Sequence, residues 1–209
     1  MKSAGKKAGG KKVGVVDYGT GNLASVSKAL ERAGAECFLA QSPAELKKAD
    51  FLVLPGVGHF AAGMRNLADR GLDDLLLDWA TAGKPLLGIC LGMQLLFDES
   101  EEGSAKGLGI IPGKVVKLNG GQKIPHMGWN SIEAIGGAEL FEQFSGRSFY
   151  FVHSYVCATD KPMAGALTNY GNNFVSAVQA ESVAGVQFHP EKSSADGIEM
   201  LRCALGAPD

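Results

Sequence analysis

Residues 13–16 form a short apolar, β-branched run that stops at Asp17-Tyr18-Gly19-Thr20-Gly21-Asn22, after which Leu23, Val26, Ala29, Leu30 and Ala33 recur at helical spacing as far as Gly34. The pattern predicts strand, glycine turn, helix and stop. The unit then repeats. Residues 37–40 read as a strand, Ser42-Pro43 opens a short helix, and residues 51–54 are a wholly apolar strand running into Pro55-Gly56-Val57-Gly58. Over residues 72–82, Leu72, Leu75, Leu76 and Trp79 share one helical face, and residues 85–89 are the next strand. Apolar strands alternating with amphipathic helices imply βαβ units and a parallel sheet covered on both faces. Past residue 100 the pattern changes: 114–118, 130–134, 148–155, 174–179 and 183–188 read as strands with few helices between, so antiparallel members join the sheet. A last helix is expected over about residues 195–205.

Composition agrees with one α/β domain and sets limits on its partners. A chain of 209 residues, 45% hydrophobic and 20% charged, can bury a substantial core. No segment nears the roughly 18 consecutive apolar residues of a membrane helix, so a helical membrane span is excluded. Glycine is in excess at 29 residues without a G-x-y period, which points to tight turns and close backbone approaches. The net charge of −2 hides an asymmetry: Lys2, Lys6, Lys7, Lys11 and Lys12 lie in a segment with no acid, and from Val13 onward 15 basic residues face 22 acidic ones. An acidic body argues against nucleic acid as the ligand. Residues 1–12 lack the apolar core of a signal peptide and the Arg-rich pattern of a transit peptide, and are expected to be a basic, flexible extension; a cloning remnant or a weak anionic contact is the alternative. Cys37, Cys90, Cys157 and Cys203 are far apart with no C-x-x-C pair, so neither a disulfide framework nor a zinc site is indicated, and a reducing, cytoplasmic setting fits.

One cysteine stands in a chemical context. Gly88-Ile89-Cys90-Leu91-Gly92 follows an apolar strand and leads into a helical segment, the G-x-nucleophile-x-G form of a nucleophile elbow. There a strained turn lifts the nucleophile clear of the sheet, small neighbours let the turn close, the helix start favours thiolate, and the Leu91 amide points where an oxyanion forms. The plain structural alternative is a buried cysteine in a glycine-bracketed turn. A thiolate that transfers acyl groups also needs a base and a group to orient it. His189-Pro190-Glu191 offers both, since Pro190 biases His189 toward an extended conformation in which residues two apart face one way. Taken singly, His189 is a loop histidine and Glu191 a surface charge; with Cys90 they form a constellation. In Pro55-Gly56-Val57-Gly58 the glycines permit a peptide flip, so an amide near Val57 can join that of Leu91 at an oxyanion, at the carboxyl end of a parallel strand where ligands bind.

These segments resemble a known family. Gly88-Ile89-Cys90-Leu91-Gly92 with Gln94, and Gln187-Phe188-His189-Pro190-Glu191, are similar to the signatures of class I, triad-type glutamine amidotransferases. The runs 17–22, 54–60, 125–130 (Pro125-His126-Met127-Gly128-Trp129-Asn130) and 150–155 (Tyr150-Phe151-Val152-His153-Ser154-Tyr155) resemble, within that family, the glutaminase subunits of imidazole glycerol phosphate synthase. The resemblance spans about residues 13–205 and implies a single flavodoxin-like amidotransferase domain over 13–209. It implies Cys90 as nucleophile on the L-glutamine amide, His189 as proton carrier and Glu191 as its orienting carboxylate. Gly58, Gln94, His153, Ser154 and Tyr155 match positions that line or contact glutamine. No metal or organic cofactor is required. The implied partner is a cyclase subunit, a (β/α)8 barrel forming a heterodimer, which receives the ammonia. Pro125, Met127, Trp129 and Asn22 match positions at or near that interface, the alternative for Met127 and Trp129 being the core. Two other readings share the triad: an amidotransferase serving another synthase, such as pyridoxal phosphate formation, or a γ-glutamyl hydrolase, neither of which has the 125–130 motif. A catalytically inactive binding module of the same fold is the reading outside enzymes.

Overall fold

Strands without polar residues need cover on both faces, and the first half of the chain supplies it by alternating β1 (Lys12–Val16), α1 (Leu23–Arg32), β2 (Glu36–Ala40), α2 (Pro43–Leu46), β3 (Phe51–Gly56), α3 (Phe60–Ala68), α4 (Leu72–Thr81), β4 (Leu86–Cys90) and α5 (Leu91–Leu95). The computed structural model describes residues 10–120, 122–161 and 163–206. The second half is strand-rich: β5 (Phe97–Ser100), β6 (Ala105–Lys106), β7 (Ile111–Lys117), β8 (His126–Ser131), β9 (Glu133–Ile135), α6 (Glu139–Glu142), β10 (Ser148–His153), β11 (Tyr155–Ala158), β12 (Ala164–Tyr170), β13 (Asn172–Ala180) and β14 (Val183–Val186). A 3-10 turn (Pro190–Lys192) and α7 (Ser194–Ala204) follow.

Five strands lie parallel in the order β2-β1-β3-β4-β14, a doubly wound arrangement of the flavodoxin type. The sheet continues through β13, antiparallel to β14, and then β11, β7, β5 and β6, while β8 and β10 pair separately as an antiparallel ribbon. Period-2 alternation divides the strands between two cores. Phe51, Val53, Leu87 and Ile89 pack with α1 and α7; Leu52, Leu54 and Leu86 pack with α3 and α4. Among the described residues no helix is long and apolar enough to cross a membrane.

The structure departs from the sequence reading in several places. Residues 60–68 form a helix that the pattern did not announce, and residues 164–170 a strand. The strand expected over 130–134 is the end of β8 and the start of β9, separated at the fully buried Ile132. The strand expected over 148–155 is two, broken at Ser154, and they enter different sheets. The extension assigned to residues 1–12 ends earlier: Lys12 opens β1 opposite Glu36, and Lys11 Nζ donates to the Leu205 carbonyl at 2.9 Å. Residues 1–9 lie outside the described residues.

Candidate active site

β4 delivers Cys90 to the carboxyl end of the parallel sheet, and the backbone changes direction there. Cys90 has φ 54° and ψ −109°, a conformation that costs an L-residue on the order of 1–3 kcal/mol and persists only where its surroundings enforce it. They do so through the flanking glycines. A Cβ on Gly92 would stand 1.7 Å from the Leu54 carbonyl oxygen, and one on Gly88 would stand 2.7 Å from the Met93 nitrogen. β3 and α5 therefore close on the turn only if both positions are bare, the physical content of the G-x-C-x-G motif. The Cys90 residue is 6% exposed, and its sulfur lies at the floor of a cleft of about 320 Å³.

The cleft wall gathers most of the expected residues. Val57 and Gly58 come from the loop after β3, Leu91 and Gln94 from α5, Pro125 from the segment before β8, and Val152, His153, Ser154 and Tyr155 from the junction of β10 and β11. The break at Ser154 is what turns this junction toward the cleft instead of continuing one strand. Glu102 is on the wall too, and its Oε2 accepts the N–H of Phe60 at the start of α3 at 2.7 Å. No sequence motif singled it out. A larger cavity of about 430 Å³ lies at the opposite ends of the same strands, near Phe51, Leu86 and Val183, away from Cys90.

His189 and Glu191 approach Cys90 from behind the cleft. His189 Nδ1 lies 2.8 Å from Glu191 Oε1, with the two side chains 3% and 2% exposed. The geometry differs from the extended segment expected: His189 is extended, but Glu191 sits in the 3-10 turn that begins at Pro190, and the turn swings its carboxylate back onto the ring. The histidine is held by its backbone: its N–H donates to the Tyr150 carbonyl at 2.9 Å, and its carbonyl accepts the Ser193 hydroxyl at 2.6 Å. Burial pulls the imidazole's pKa down, but the Cys90 sulfur and the Glu191 carboxylate outweigh it and push the value up to about 10. His189 Nε2 is buried without a well-aligned hydrogen-bond partner. Cys90 is thus near enough to favour the imidazolium while the sulfur–nitrogen contact stays open, as catalytic contacts often do without substrate.

Two glutamines complete the floor. Gln94 Nε2 donates to the Tyr155 carbonyl at 3.0 Å and to Gln187 Oε1 at 2.9 Å, and Gln187 Nε2 lies 3.7 Å from Cys90 Sγ. At the rim, the Thr20 hydroxyl donates to the Val57 carbonyl, joining the loop after β1 to the loop after β3. Asn22 is exposed at the N-terminus of α1. Met127 and Trp129 are 62% and 51% exposed, so they are surface residues, not core. His126, between Pro125 and Met127, points the other way and is fully buried. Among the described residues, no group of three or more His, Cys, Asp or Glu is placed to hold a metal ion.

The arrangement is one that could carry thiol acyl transfer: a cysteine in a strained turn, a buried histidine paired with a carboxylate, and a small cleft lined by backbone and polar side chains. Comparison with known proteins shows the family. The family model for class-I glutamine amidotransferases matches residues 14–205. A protein of Bacillus subtilis named imidazole glycerol phosphate synthase subunit HisH is 47% identical over 197 residues, covering 90% of this chain and 93% of its own length. One of Desulfitobacterium hafniense with the same name is 46% identical over 192 residues, covering 90% and 91%. A solved structure described as a glutamine amidotransferase superposes with a TM-score of 0.72 at 22% identity, covering 92% of this chain and 98% of that one.

Proposed function

The chain belongs to the class-I glutamine amidotransferases and, within them, is the glutaminase subunit of imidazole glycerol phosphate synthase; on that premise we propose that Cys90, His189 and Glu191 are the catalytic triad that hydrolyses L-glutamine. The observation that carries the assignment is the strained Cys90 at the head of β4 with the buried His189–Glu191 pair behind it. The Cys90 thiolate attacks the carbon of the side-chain amide, and the developing oxyanion is received by the N–H groups of Leu91 and Val57. The tetrahedral species collapses as His189 gives a proton to the departing nitrogen, leaving a γ-glutamyl thioester and free ammonia. His189 then takes a proton from water, whose oxygen attacks the thioester carbon; glutamate leaves and Cys90 is restored. Glu191 holds Nδ1–H of the ring, which keeps Nε2 turned to the sulfur.

Around that centre, Gly58, Gln94, His153, Ser154 and Tyr155 bind glutamine, with Glu102 supplying the carboxylate that an α-ammonium group needs. The Val57 N–H reaches the oxyanion by rotation of the Gly56–Val57 peptide. The carbonyl of the next peptide, that of Val57, is held by the Thr20 hydroxyl, in the same loop as Asn22, so contact at Asn22 bears on the segment that must turn. The partner is the cyclase subunit, a (β/α)8 barrel forming a heterodimer with this chain across Asn22, Pro125, Met127 and Trp129. Ammonia passes to it and is incorporated into imidazole glycerol phosphate, with an aminoimidazole-carboxamide ribonucleotide as by-product. Glutamate formation by the purified chain, measured alone and with cyclase and its nucleotide, tests the reading. Weak activity alone and strong stimulation in the complex are expected; no rise on adding cyclase and nucleotide contradicts the coupling.

A further inference from the structure

His126 does not face the cleft, yet it begins a continuous hydrogen-bonded line that ends on the nucleophile. Its ring is stacked between Phe151 and Tyr170, with centroids 5.0 and 4.0 Å away, and is fully buried on β8 beside the exposed Met127. Its Nδ1 lies 3.0 Å from His153 Nε2, and its Nε2 lies 2.7 Å from Asn130 Oδ1. His153 Nδ1 lies 3.0 Å from the Tyr155 carbonyl, which also accepts from Gln94. Gln94 in turn binds Gln187, whose amide reaches Cys90 Sγ.

The direction of the hydrogens follows from one end. A carbonyl only accepts, so His153 Nδ1 carries a hydrogen and its Nε2, in a neutral ring, is a lone pair. His126 Nδ1–H must then donate to it, which leaves His126 Nε2 as an acceptor. Burial disfavours charge on both rings; His153, with His126 alongside, is pulled down to about 3, and His126 is lowered despite the Asn130 contact. With both rings neutral, the line requires the Asn130 amide to be turned so that Nδ2 faces His126 Nε2, replacing the 2.7 Å Oδ1 contact and the long 3.3 Å bond to the Asn169 carbonyl.

We infer that His126 is a positioning residue for glutamine hydrolysis: its Nδ1–H holds His153, and through the Tyr155 carbonyl, Gln94 and Gln187 it fixes the Cys90 sulfur. The inference rests on Cys90 being the nucleophile. Because β8 also presents Met127 and Trp129, a displacement of β8 by a docked protein reaches Cys90 along the same line.

Three substitutions separate this role from packing. Asparagine places an amide N–H where His126 Nδ1–H stands, glutamine places its amide where Nε2 stands, and phenylalanine keeps the stacked ring without either. In the complex with cyclase, His126→Asn is expected to stay within about threefold of native kcat with glutamine, and His126→Gln and His126→Phe to fall about tenfold or more, since misplacement by less than an ångström is costly in catalysis. Ammonia-dependent synthesis by all three is expected to match native. Phenylalanine retaining the most activity, or equal loss in all three, overturns the inference. Nitrogen-15 spectra of the native complex supply a check independent of turnover. Both His126 and His153 protonated at Nδ1 supports the line; His153 protonated at Nε2 overturns it, even in an active enzyme. Native protein that forms no glutamate counts instead against Cys90 as nucleophile, and the spectra still decide the hydrogen order.

Discussion

The ordinary histidine pKa of 6.5 is moved to about 10 at His189, where burial is opposed and overcome by Cys90 and Glu191. The folded state therefore holds this proton more tightly than the unfolded chain does. The stabilisation is complete below about pH 6.5 and is lost as pH climbs through about 10. Glu191→Gln removes a carboxylate that raises the pKa of the ring, so the alkaline decline in melting temperature is expected to begin at lower pH than in the native protein. An unchanged pH–stability curve would mean that Glu191 does not act on the ring. The same substitution should lower glutamine turnover by about 10⁴-fold, the scale seen when a triad's orienting group is lost. Cys90, His189 and Glu191 were legible because each sits in a short local pattern: glycines two residues either side, a strand before, a proline between base and acid. Glu102 was not. Its meaning comes from capping α3 across 42 residues and from closing a cleft wall, and neither leaves a mark on its neighbours in sequence. His126 was legible as part of a motif but not in direction, because period-2 alternation along β8 decides which of Pro125, His126 and Met127 turns inward.

Among the elements, the antiparallel ribbon of β8 and β10 separates two tasks. Its inner residues, His126, Phe151 and His153, are buried against the cleft floor, and its outer residues Met127 and Trp129 are left to solvent. Trp129 packs edge-on to Tyr150 at 6.0 Å and otherwise offers its face outward. Met127→Asp is expected to weaken cyclase binding by about 2 kcal/mol, roughly thirtyfold in Kd, as for a truncated interface anchor. The stability of the isolated subunit should shift by no more than about 0.5 kcal/mol, since the side chain is exposed. A titration showing native affinity, or a large loss of melting temperature, would return Met127 to a structural role. The elements that the pattern missed share a cause. α3 has Gly63 at its centre, where a Cβ would stand 3.3 Å from Leu95, so its helix is written for close packing on α5 and not for propensity. β12 is rich in small and polar residues, and Gly165 is required there because a Cβ would meet the Ala177 carbonyl at 2.1 Å. Both depend on a neighbour that only the fold supplies.

Over the whole molecule, the parallel half was legible and the antiparallel half was less so. Strands β1, β3 and β4 are buried on both faces and announce themselves as apolar runs, and the segments after them, two loops and the start of α5, carry Thr20, Val57 and Leu91 to one end of the sheet. That end is where a doubly wound sheet binds ligands, near the point where strand order reverses between β1 and β3. In the second half, chain reversals at Ser154 and around Ile132 move segments between sheets, a change of partner that periodicity alone does not encode. On the proposed triad, Cys90 is presented by the legible half, and His189 and much of the cleft wall by the other. The most direct test of this division of labour is the product yield of the Cys90→Ala subunit in complex with cyclase, measured side by side with glutamine and with ammonium as nitrogen source. The account predicts that synthesis from glutamine is abolished while synthesis from ammonium matches the native complex; loss of both, or retention of glutamine-dependent synthesis, would contradict it.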